Sequence, residues 1–138
     1  MKHLLLSLLV LFPTLSAADV DIHDAFITTT SCAIVLGAAA NEAEKNISFD
    51  PDGEGVFIGD WIEFRLAANT YEDSSQFYAK KIRVMRPDNE ELTYEYLVDA
   101  VYRGLSEMSD DEIATYAESC MIGYVKAMAA TSSKEFHL

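Results

Sequence analysis

The stretch Phe57 to Pro87, FIGDWIEFRLAANTYEDSSQFYAKKIRVMRP, decides the fold. Phe57, Trp61, Phe64, Ala68, Tyr71, Ser75, Tyr78, Ile82 and Met85 recur at alternating spacings of four and three. That period places them on one face of an α-helix, because a helix turns once per 3.6 residues. Ser75 is the one polar member of the stripe, and Tyr71–Gln76 is its polar weak point, where a break in the helix is expected. Pro87 closes the helix, since proline has no N–H to donate and its ring clashes with the preceding turn.

The same period runs outward in both directions. Towards the N-terminus, Ala25, Thr29, Cys32, Leu36, Ala39 and Ala43 form a stripe within residues 22–45, small enough for a neighbouring helix to approach closely. Residues 46–56 hold a proline, two glycines and three acids, and read as an acidic loop. Towards the C-terminus, a third helix is expected from Asn89 to Glu107, with Leu92, Leu97, Val101, Leu105 and Met108 inward. Ser109-Asp110-Asp111-Glu112 has the pattern of a capping box opening a fourth helix. Ile113, Ala117, Cys120, Tyr124 and Ala127 then give its apolar stripe, and the tail from 131 is expected to fray. No strand pattern competes. The expectation is an all-α protein, a small bundle of about four helices.

The first residues read differently. Met1-Lys2-His3, the apolar run Leu4–Leu15 and the small residues Ser16-Ala17-Ala18 are the three parts of a secretory signal peptide. The apolar run is too short to span a bilayer, and no other run is read as long enough to do so. The expected organisation is therefore a cleaved segment 1–18 and a single helical domain 19–138. The expected location is periplasmic or secreted, with no stable membrane insertion once the segment is removed.

Two cysteines, Cys32 and Cys120, lie on the apolar stripes of the first and fourth helices. In an oxidising compartment, a Cys32–Cys120 disulfide is the main expectation. Two cysteines are too few for a cysteine-only zinc site, and they lack the Cys-x-x-Cys spacing of redox catalysts.

The 138 residues carry a net charge of −13, and half are apolar. Loss of residues 1–18 would remove one base and no acid, taking the charge from −13 to −14. This acidity argues against nucleic acid as a partner, because phosphate binding needs clustered cations. It also favours rapid encounter with basic proteins. The one basic cluster, Lys80, Lys81, Arg83 and Arg86, ends the second helix. There the cations complement the helix dipole, and they are also the candidate anchor for an anionic protein partner. Tyr94, Tyr96, Tyr102 and Tyr116 cannot all face one core, so some are expected at the surface.

The loop Asp50-Pro51-Asp52-Gly53-Glu54-Gly55 resembles the first half of an EF-hand calcium loop. Asp50, Asp52 and Glu54 would be the ligands and Gly55 the turn. Position twelve is Trp61, where the motif needs a bidentate glutamate. A polar turn accounts for the segment, and calcium is retained only as a candidate cofactor. Asn46-Ile47-Ser48 matches a glycosylation sequon, which matters only in a eukaryotic secretory pathway. The short signal peptide reads as bacterial, so the sequon is taken as coincidental.

Catalysis finds no motif. No Gly-x-Ser-x-Gly elbow, His-Glu-x-x-His helix or phosphate-cradling loop is present, and beyond residue 18 the only histidines are His23 and His137. The protein is therefore expected not to be an enzyme. A signal peptide, an all-helical domain and cysteines in the first and last helices make a layout similar to that of periplasmic immunity proteins of type VI secretion effectors. That resemblance is one of organisation. It implies an inhibitor of an exported enzyme and transfers no binding residues. An acid-responsive periplasmic chaperone and a calcium-steadied structural module are the alternatives, and a homodimer is left open by the long aromatic stripe of the second helix.

Overall fold

The computed structural model describes residues 21–49 and 56–135, and within them it contains four helices and no strand. Helix α1 runs Ile22–Phe49, α2 Val56–Met85, α3 Tyr94–Ser106 and α4 Asp110–Glu135. The signal-peptide reading of residues 1–18 lies outside the described residues.

Helices α1 and α2 form a long hairpin. Thr30 bonds to Ser75, and eleven residues further along α1, Asn41 Oδ1 accepts from Arg65 at 2.6 Å. Partners thus advance on α1 while they retreat on α2, so the pair is antiparallel. The small stripe of α1 permits this close packing: Ala25, Thr29, Cys32, Leu36 and Ala40 are buried, and so are Ala67, Ala68, Tyr71, Ala79 and Ile82 of α2. Helix α3 lies across one end of the hairpin. Its Val101 and Leu105 are buried, Leu97 and Met108 are half-buried, and Tyr94 meets Phe26 edge to face at 6.5 Å. Helix α4 is tied in through Cys120, with Ile113, Tyr116, Ala117 and Tyr124 packed on the core.

Five expectations change. The loop 46–56 is shorter than read, because α1 continues through Asn46-Ile47-Ser48 to Phe49 and α2 begins at Val56. Helix α2 does not break at Tyr71–Gln76; Ser75, the polar gap in its stripe, is fully buried and hydrogen-bonded to Thr30. Helix α3 starts at Tyr94, not Asn89. Thr93 supplies the cap, its hydroxyl accepting from the Tyr96 N–H at 3.1 Å, while residues 89–92 turn. The tail from 131 does not fray there, since α4 continues to Glu135. Finally, Ile22–Lys45 is long and apolar enough to cross a membrane by length and composition alone. No charge falls between Asp24 and Glu42, a feature that a search for uninterrupted apolar runs passes over. In the bundle, 44% of the qualifying window is buried.

Candidate functional site

The disulfide Cys32–Cys120 joins α1 to α4, with Cα atoms 5.6 Å apart and a sequence separation of 88. Beside it, the Tyr71 hydroxyl donates to the Cys120 carbonyl at 2.7 Å. Burial pushes the Tyr71 phenol well above its ordinary range, and Tyr116 adds to the effect. It therefore stays protonated and remains a donor. A second polar link lies one turn away on α2, where Ser75 Oγ contacts both Thr30 Oγ1 and, at 3.2 Å, the Tyr94 hydroxyl. These groups satisfy one another where α1, α2 and α3 meet. Buried hydroxyls without partners would cost stability, so the set fixes the register of three helices. Both clusters read as structural, with Tyr71, Thr30 and Ser75 buried and Tyr94 half-buried.

Lys80, Lys81 and Arg83 are exposed on the last turns of α2, and Arg86 is exposed just beyond its end. None forms an ion pair among the described residues, whose salt bridges lie elsewhere, the tightest being Arg103–Asp99 at 2.9 Å. The sequence reading missed their setting. Phe77, Val84 and Met85 are exposed among them, Val84 at 78%. The Lys81 ammonium stands 4.8 Å from the centre of the Phe77 ring, a cation–π contact. Met85 belongs to the apolar stripe, yet it is half exposed. The result is a mixed cationic and apolar surface at one end of the bundle. The spacing of Phe77, Lys81 and Val84 on one helical face was a readable signal.

Asp50, Asp52 and Glu54 lie outside the described residues. Among the described residues, no group of three or more His, Cys, Asp or Glu side chains is placed to hold a metal ion. Every described aspartate and glutamate is exposed. The buried polar side chains are all hydroxyls, namely Thr28, Thr29, Thr30, Ser31 and Ser75. His23 is half-buried, its Nδ1 3.3 Å from Asp21. Of the tyrosines expected at the surface, Tyr96 and Tyr102 are exposed, while Tyr94 and Tyr116 are half-buried.

Helices α1 and α3 come together at the end of the hairpin that holds the start of α1. Between them lies an apolar groove of about 570 Å3, with Ile82 and Tyr116 contributing from α2 and α4.

Compared with known proteins, the chain matches no family model, no curated protein and no solved structure.

Proposed function

We propose that this is an exported, non-catalytic binding protein that acts as an inhibitor or immunity-type partner of an exported enzyme. One observation carries the reading: four cations with no ion pair among the described residues stand among exposed Phe77, Val84 and Met85 at the end of α2, in a chain of net charge −13. Surface cations in so acidic a protein have many carboxylates to pair with, yet these four pair with none of those described. Apolar and cationic groups together fit the core of a protein interface, where aromatic, Met and Arg side chains are enriched. The partner offers carboxylates and an apolar pocket at that spot.

The disulfide is compatible with an oxidising compartment. Together with the signal-like residues 1–18, it supports a periplasmic or secreted location. The partner is a protein, and no nucleic acid or stable membrane insertion is part of the reading.

The test is affinity capture from a cell-envelope extract with the oxidised protein at pH 7 and at pH 3. One enzyme retained at pH 7 in equal stoichiometry, and inhibited by the protein, supports the reading. Many clients retained at pH 3 alone would make it an acid-responsive chaperone. Retention that depends on added calcium would favour a calcium-steadied module.

A further inference from the structure

The groove between α1 and α3 has the dimensions and chemistry of a ligand site, and it adjoins the cationic end of α2, where Ile82 lines it between Lys81 and Arg83 in sequence. Its α1 wall is Phe26, Ile27, Thr28 and Ser31; its α3 wall is Leu97, Ala100, Val101, Gly104 and Leu105. At about 570 Å3 it falls in the roughly 300–1,000 Å3 range of small-molecule pockets, which are mostly apolar with a few placed polar groups. Ile27 is half exposed along its edge. Ala100 and Gly104 keep the α3 wall low: a Cβ added at Gly104 would meet nothing within 4 Å. The α3 wall from Leu97 to Leu105 covers about 12 Å at 1.5 Å per residue, a length suited to an extended alkyl chain.

The polar groups converge at the start of α1, where His23 and Asp24 line the mouth. Among the described residues, no lysine or arginine lines the groove. A helix N-terminus ordinarily attracts anions through its free N–H groups. Here the Asp21 carboxylate already accepts from the His23 N–H at 2.9 Å, and Asp24 adds a second negative charge. Asp24 is the acidic side chain of the described lining and favours a cationic head over an anionic one, with Lys81 and Arg83 flanking Ile82 outside that lining.

We propose that the α1–α3 groove binds a single-chain amphiphile with a positively charged head. The alkyl chain lies along Leu97, Val101 and Leu105, and the head sits against Asp24. The contrast between head charges makes the site selective, while the apolar walls supply the affinity.

The test is calorimetric titration of the oxidised protein with dodecyltrimethylammonium and with laurate, each below its micelle concentration, while Gly104 and Ala100 amide signals are followed by NMR. The expected result is saturable one-to-one binding of the cation, at least tenfold tighter than laurate, with shifts confined to groove residues. Shortening the chain should weaken binding roughly fourfold per methylene, from about 0.8 kcal/mol each. Gly104→Trp fills open space in the groove and should abolish binding while the helical spectrum is retained. Asp24→Lys should reverse the preference towards laurate, although it changes the total charge by only two units. Non-saturable binding, or binding that survives Gly104→Trp and ignores Asp24→Lys, overturns the proposal, because the cation would then be held by the acidic surface at large.

Discussion

Tyr71 shows how one side chain settles a junction. It is buried at 1% exposure and donates to the Cys120 carbonyl, so its phenol must remain protonated for the junction to hold. Its folded-state pKa lies above the unfolded value near 10, because burial disfavours the phenolate. The folded state therefore holds its proton more tightly than the unfolded state. This stability is fully present below pH 10 and is lost as pH rises beyond it, by at most about 1.4 kcal/mol per pH unit for one proton. Denaturant unfolding at pH 7 and pH 11 should show this loss. Tyr71→Phe should cost about 1 kcal/mol at pH 7, the worth of one hydrogen bond, and should flatten the alkaline decline. An unchanged alkaline slope in Tyr71→Phe would assign the loss to other groups, of which Tyr78, also raised by burial, is the first.

At the scale of the element, the helices were largely legible and their ends only partly so. The four-three stripes located all four, and Ser109 with Glu112 marked the start of α4. The Glu112 N–H donates to Ser109 Oγ at 3.2 Å, and the Ser109 N–H reaches Glu112 Oε1 at 3.4 Å. Ser109→Ala should destabilise the protein by about 1 kcal/mol, within the range for lost N-caps, and raise amide exchange in the first turn of α4. The start of α3 was misread because Leu92 continues the apolar spacing, whereas Thr93 holds the cap. The polar segment of α2 was misread because Ser75 finds Thr30 and Tyr94, partners that are distant in sequence. Period alone cannot supply such a tertiary partner. The basic residues of the candidate site were also legible, and so was the spacing of Phe77 and Val84 beside them, but the exposure of Met85 was not. Met85 continues a core stripe in sequence, and its exposure is set by tertiary packing that the period does not carry. The groove was invisible for the same reason, since Leu97, Val101 and Leu105 read simply as core.

For the whole molecule, the disulfide and the surface define what the bundle can do. Closing an 88-residue loop removes chain entropy worth roughly 4–5 kcal/mol in the unfolded state. That rivals the roughly 5–15 kcal/mol total stability of small domains. A Cys32→Ala, Cys120→Ala double variant should therefore melt far below the oxidised protein, and a thermal scan by circular dichroism reads the difference directly. Equal melting temperatures would mean that α4 is held by packing alone. The carboxylates are all at the surface where described, and their ion pairs are few and exposed, so each contributes little. The folded bundle is accordingly expected to keep its helical signal from pH 7 down to about pH 5, above the ordinary carboxylate range. The proposed binding surface is the cationic and apolar end of α2. The most direct measurement is titration of the captured enzyme's activity with the oxidised protein and with a variant carrying Lys80→Glu, Lys81→Glu, Arg83→Glu and Arg86→Glu. The account predicts stoichiometric inhibition by the first and a loss of at least a hundredfold in potency by the second, with the same melting temperature. Equal inhibition by both proteins would contradict it and place the contact elsewhere on the bundle.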